Sequence, residues 1–244
     1  MGLDEEISKV LEKLRKRYHD DLAAWIIYGT GADGTWIEGK SDIDSIIILK
    51  DSARIPDMDK EKESLFSYLR GYNLSIVEFH KIVDYFNDII TRGRWTSMVT
   101  IIDPPRLAYS TKGFEEFQKR LLNTLNKEPE NKEKIMKLIH EKDKFELGPE
   151  FLGRVEGYKK SSCLHGHFRR KFQILSYYLK GKLVYSYRES LQNIKELFSK
   201  EEYSRLMDVP NRYERREGIT AEEEKYYKSL ALKVTKIILR LFSR

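Results

Sequence analysis

The stretch YGTGADGTWIEGKSDIDSIIIL, residues 28 to 49, decides the reading of the N-terminal half of this 244-residue chain. It ends in an apolar run fit for a buried strand, yet Asp42 and Asp44 stand at the head of that run. Strand side chains alternate, so Asp42, Asp44, Ile46 and Ile48 share one face while Ile43, Ser45, Ile47 and Leu49 share the other. Both faces beyond Asp44 are apolar, which predicts a central strand from about residue 42 to 49. On such a strand the two aspartates lie ~6–7 Å apart at the backbone. At an effective dielectric near 20 their repulsion is on the order of 2–3 kcal/mol, before any cost of desolvation. A divalent cation between them removes that penalty. Hard oxygen ligands suit Mg²⁺, and Mg²⁺ in turn implies a substrate that carries phosphate. The plain alternative is a solvated strand entrance with Ser41 capping and both aspartates facing water.

Upstream, the apolar run LAAWIIY stops at Gly29, which predicts a buried strand over residues 24–28 and a sharp exit through GTGADG into a short helix. Gly29 and Thr30 offer free backbone N–H groups and a hydroxyl there, a combination that can hold a triphosphate. The loop lacks the Gly-Lys-Ser/Thr of a Walker sequence. Gly29, Gly31 and Gly34 have the G-x-G-x-x-G spacing of a dinucleotide fingerprint, but the acidic residue expected at the end of a matching strand is missing.

Farther out, residues 4–20 carry Ile7, Val10, Leu11 and Leu14 at helical spacing. Helices are predicted over residues 59–70 and 81–91, a strand over 73–80 (NLSIVEFH) that contains Glu78, and an edge strand at LAYS after the DPP turn. From Lys112 the pattern is helical nearly throughout. The predicted boundary gives a domain of residues 1–112 and an α-helical domain of residues 113–244. Charge follows the same division: residues 1–112 hold 16 Lys+Arg against 19 Asp+Glu, and residues 113–244 hold 29 against 20. The basic half could attract an anionic partner. Cys163 is the single cysteine, which rules out an internal disulfide and a cysteine-based zinc site. Apolar runs fall short of a membrane span and the N-terminus does not read as a secretory signal, so a cytoplasmic protein with no membrane partner is expected.

A strand ending in Gly-Thr, a gap of eleven residues from Thr30 to Asp42, and Asp-x-Asp at the start of an apolar strand resemble the nucleotidyltransferase superfamily. That superfamily includes DNA polymerase beta, kanamycin nucleotidyltransferase and the minimal prokaryotic nucleotidyltransferases. The resemblance covers roughly residues 22–110. It implies an N-terminal α/β nucleotidyltransferase domain with a mixed β-sheet and flanking helices, followed by an α-helical domain that binds the acceptor. It implies that Gly29, Thr30 and Ser41 hold the nucleotide. Asp42 and Asp44 hold one Mg²⁺, and with Glu78 on the later strand a second; Glu78 is also placed to take the acceptor's proton. The implied reaction moves a nucleoside monophosphate from an NTP, ATP first among the candidates, to a hydroxyl or similar group of a small molecule or protein, with release of pyrophosphate. Thr30 stands in place of the commoner Ser, and Asp33 where many minimal members carry Arg.

Two rival readings stand beside this one. A non-catalytic nucleotide-binding or antitoxin-like partner protein would keep the same fold. An enzyme that adds nucleotides to RNA would use the basic helical half. A homodimer is compatible with all three. His165 and His167, two apart, point in different directions on a helix, and no Cys or carboxylate completes a metal set. Lys159, Lys160, Arg169, Arg170 and Lys171 form either a solvated face or a phosphate-binding one. Phe168, Phe172, Leu175 and Leu179 are spaced as a helix core, and Tyr177, Tyr178, Tyr185 and Tyr187 read first as packing residues, with base-stacking platforms as the alternative. Lys40 reads as an exposed loop lysine.

Overall fold

The computed structural model describes residues 2–34, 36, 42–50, 57, 60–61, 63–65, 72–78, 95–125, 130–147 and 154–243. Ser41, Lys40 and the helix expected over residues 81–91 lie outside them, as does part of the helix expected over 59–70. The chain is mixed α/β, and it divides into two compact units: Met1–Asp88 with Thr100–Asn126, and Ile89–Val99 with Lys127–Arg244.

In the first unit, helix α1 (Leu3–Tyr18) leads into strand β1 (Leu22–Tyr28), and the short helix α2 (Thr30–Asp33) follows directly. Then come β2 (Ile43–Leu49), β3 (Tyr72–Glu78), α3 (Trp95–Ile102), of which Thr100–Ile102 belong to this unit and Trp95–Val99 to the second, β4 (Arg106–Ser110) and α4 (Lys112–Leu125). The sheet runs in the order β3-β2-β1-β4. Strand β1 is antiparallel to both β2 and β4, whereas β2 and β3 are parallel. This is the mixed sheet that the sequence predicts, with LAYS as its edge strand.

β1 is an unbroken apolar run because it is central: Leu22 through Ile27 have no exposed surface. Ile7, Val10, Leu14 and Tyr18, on one stripe of α1, pack into a core with Trp25, Ile27, Ile43, Ile47 and Leu49. Alternation therefore gives the α1 side to Trp25, Ile27, Ile47 and Leu49, and the opposite face to Ile26, Tyr28, Asp44 and Ile46.

The second unit begins at residue 127 of the helical half rather than at 113. The reason is α4: its stripe of Phe114, Phe117, Leu121 and Leu125 is buried, and the helix packs against β1. Helical periodicity marks such a helix but not the partner that its apolar face will meet. WTSMVTII forms α3.

The described residues of the second unit carry helices and no strand past residue 127. They are α5 (Glu130–Glu146), α6 (Tyr158–Lys180), α7 (Tyr187–Asn193), α8 (Lys200–Arg215) and α9 (Ala221–Phe242). α6 is the hub, packed against each of the other four. α8 and α9 each start at a reciprocal cap, Ser199 with Glu202 and Thr220 with Glu223, which satisfies backbone N–H groups that a helix start leaves open. Phe168, Phe172 and Leu175 are core residues as their spacing predicts. Leu179, in the last turn of α6, is exposed. Among the described residues, no helix is long and apolar enough to cross a membrane.

Candidate functional site

β1 and β2 pair so that Tyr28 lies opposite Asp44, which brings the end of one strand beside the start of the other. Gly29 follows at φ +63°, a left-handed conformation that glycine adopts without strain. A Cβ built on Gly29 would lie 2.7 Å from Oδ2 of Asp44. The Asp44 carboxylate is thus seated against the backbone of the turn. Thr30 donates its hydroxyl to the carbonyl of Asp42 at 3.3 Å, a second tie between turn and strand. Gly31 is fixed from below, since a Cβ there would meet Cγ2 of Ile27 at 2.9 Å and Cγ2 of Ile43 at 3.3 Å. Asp44 is half-buried and Asp42 exposed, so one carboxylate is anchored and the other faces solvent.

Gly29, Thr30, Asp42 and Asp44 therefore meet at one end of β1 and β2. By backbone register, position 78 is set apart from them. In the parallel β2–β3 register, Asp44 is opposite Asn73 while Glu78 is opposite Leu49, at the far end of β2. Five residues of strand separate the two register positions, about 16 Å. The backbone thus departs from the expected convergence of three carboxylates. The sequence pattern identified the strand correctly, but register depends on how a parallel pair is offset, and nothing local in NLSIVEFH encodes that offset.

Among the described residues, no three His, Cys, Asp or Glu side chains are grouped to hold a metal. Mg²⁺ does not demand such a cage, because it is commonly held by one or two carboxylates together with substrate phosphates and water. Asp42 and Asp44 fit that donor set, through one anchored and one exposed carboxylate beside a turn. No protein-family model matches the chain, and no curated protein matches it in sequence.

Arg106 went unnoticed in the sequence. From β4 it donates Nη1 to the carbonyl of Gly31 at 3.3 Å and Nη2 to Oδ1 of Asp4. An arginine at the head of an edge strand carries no local signal of the turn it will meet.

The alanine variant of Gly29 tests the packing of this turn. Gly29→Ala would place a methyl group where Oδ2 of Asp44 lies and would hold a non-glycine residue at positive φ, a strain of about 1–3 kcal/mol. The expected result is a melting temperature lowered by that strain, measured by calorimetry.

A second cluster of ionisable groups, which periodicity did not reveal, lies inside the helical unit. On α6, His167 and Lys171 are almost wholly buried, with relative side-chain exposures of 1% and 2%. His167 Nδ1 is 2.7 Å from Oε2 of Glu146, and Arg170 grips both oxygens of Glu146 at 3.0 Å. Lys171 lies 2.7 Å from Asp143 and donates to the hydroxyl of Thr235 at 2.6 Å and the carbonyl of Ala231 at 3.1 Å. Thr235 also bonds Asp143. Two carboxylates one turn apart on α5 thus meet His167 and Lys171 one turn apart on α6. The two histidines do diverge as expected, and His165 is stacked between Tyr187 and Tyr213 at 4.9 and 4.6 Å. The absence of any carboxylate near His167 is corrected: Asp143 and Glu146 supply two.

These contacts also settle most of the basic stretch on α6. Lys160 pairs with Glu224, Arg170 with Glu146 and Lys171 with Asp143, while Arg169 lies over the ring of Tyr185. Of the five residues, only Lys159 is exposed.

Burial pushes His165 down to about 3, helped by Arg169 and Arg188, and lowers His167 against the pull of Glu146. Burial alone would raise the Glu146 carboxyl, but its hydrogen bonds from His167 and Arg170 prevail and hold it at about 2. Burial brings Lys171 down to about 8. All three acid-side groups bind fewer protons folded than unfolded. Stability is therefore complete above the ordinary histidine value of 6.5 and falls as pH drops towards 3 for His165. Glu146 adds to the loss below its ordinary value of 4.5. Lys171 works at the other end, adding stability as pH rises from about 8 to 10.5. Calorimetric melting from pH 3 to 9 is expected to show a melting temperature that declines steadily below pH 6.5; a flat profile would contradict the assignment.

Proposed function

We propose that the first unit binds a magnesium–nucleoside triphosphate at the Gly29–Thr30 turn and the Asp42–Asp44 pair, and passes its nucleoside monophosphate to an acceptor hydroxyl. One observation carries this reading: the 2.7 Å approach of Asp44 Oδ2 to the Cβ position of Gly29, which seats a carboxylate against a glycine turn. The sheet supports it, with the turn closing β1 and the aspartates opening β2.

When bound, Mg²⁺ neutralises triphosphate charge and makes the α-phosphorus easier to attack. Asp42 and Asp44 are the residues that would hold it. Thr30 ties the turn to β2 through the Asp42 carbonyl, which keeps the two halves of the site in register. The acceptor hydroxyl gives up its proton to water, its oxygen forms a bond to the α-phosphorus, the bond to the bridging oxygen breaks, and pyrophosphate leaves; this chemistry depends on positioning and charge neutralisation more than on a covalent enzyme intermediate. Glu78 has no part in the proposal, given its register position.

That same register favours one second reading, a nucleotide-binding partner protein that does not transfer. Addition of nucleotides to RNA draws less support, because Lys160, Arg170 and Lys171 are engaged by carboxylates. Incubation with each α-labelled NTP and Mg²⁺, with and without cell extract, separates the readings. Label on a small molecule or protein, with pyrophosphate released, supports transfer. Retention of unaltered NTP supports the binding protein, and labelled RNA supports the third reading.

A further inference from the structure

Arg106 is a cation that touches the glycine turn. β4 delivers it there: Arg106 is opposite Ile27 on β1, just past a register shift between Trp25 and Ile26. Such irregularities re-aim a side chain at the end of a paired strand. The guanidinium joins two acceptors, the Gly31 carbonyl and the Asp4 carboxylate. They are not equivalent. The side chain of Asp4 is 91% exposed, and a solvated ion pair contributes little. The Gly31 carbonyl belongs to a segment already wedged between Ile27 and Ile43, so a bond to it fixes the side of the turn that those two side chains leave open.

We propose that Arg106 is the positioning residue of the triphosphate-binding turn. Through the Gly31 carbonyl it holds Gly29 and Thr30 in the conformation that meets the polyphosphate, while Asp4 is a dispensable second partner. This inference rests on the nucleotide-binding reading of the turn.

The geometry, rather than the positive charge, is what the proposal asks of Arg106. A planar guanidinium holds its Nη1 donor on the Gly31 carbonyl in a fixed orientation, whereas a lysine ammonium on a flexible stem does not reproduce that geometry. Arg106→Lys should therefore fail to rescue a loss seen in Arg106→Gln.

The test is calorimetric titration of the full chain with ATP, GTP, CTP and UTP in turn, each with Mg²⁺, for the wild type, Arg106→Gln, Arg106→Lys and Asp4→Asn. Melting temperatures recorded in parallel report any loss of fold separately. The expected result is a Kd raised about ten- to a hundredfold in Arg106→Gln and Arg106→Lys, the range of a lost charge-assisted hydrogen bond and a shifted binding loop. Asp4→Asn should stay within threefold of the wild type. Wild-type affinity in folded Arg106→Gln overturns the proposal, as does full rescue by Arg106→Lys. A lowered melting temperature with unchanged Kd overturns it too, since a residue of purely structural importance gives that pattern. If the wild type binds none of the four nucleotides, the reading of the turn fails and this inference falls with it.

Discussion

Asp44→Asn is expected to lower nucleotidyl transfer by on the order of 10³-fold while leaving the fold intact. The size follows from the role: a metal that neutralises developing charge contributes several kcal/mol to the transition state, and each 1.36 kcal/mol is a factor of ten. The substitution is nearly isosteric, so the space against Gly29 stays filled and Tyr28 keeps its cross-strand neighbour. What disappears is the charge. Asp42→Asn should follow the same direction, as the exposed member of the pair. Steady-state rates with labelled NTP, together with a melting curve for each variant, check this; an inactive but unfolded protein would not count.

Glu146→Ala is expected to cost about 3–5 kcal/mol of stability, the range for removing one partner from a buried ion pair. Glu146 accepts both donors of the Arg170 fork and stands 2.7 Å from His167. Its loss leaves Arg170 and His167, both largely withdrawn from solvent, with unanswered polar groups. Contrast Arg188→Ala, which removes a more exposed pair with Glu214 and should cost about 1 kcal/mol or less. Denaturant unfolding of the two variants measures the difference. Similar midpoints would mean that the buried cluster contributes no more than a surface ion pair.

Different kinds of residue made their roles legible to different degrees. LAAWIIY and SDIDSIIIL declared central strands because unbroken apolar runs of that length leave little choice, and the structure bounds them as Leu22–Tyr28 and Ile43–Leu49. The Gly29–Thr30 turn and the aspartate pair were legible for the same local reason, since a glycine and two carboxylates at strand ends have few structural explanations. Glu78 misled because a strand's identity is local whereas its offset from a parallel neighbour is not. The burial of Phe114 and Phe117 moved the boundary between units past α4, a choice made by tertiary packing. The cluster around His167 was hidden for a related reason: Asp143, Glu146, Arg170 and Lys171 look like ordinary surface charges until α5 and α6 are brought face to face.

The most direct test of the central claim is Mg²⁺-dependent nucleotide binding by the intact chain and by the Asp42→Asn/Asp44→Asn double variant, titrated calorimetrically with each of the four NTPs. Tight binding of at least one NTP by the wild type, lost on chelation of Mg²⁺ and lost in the double variant, is the predicted result. Equal affinity in the two proteins, or no binding by either, would contradict it.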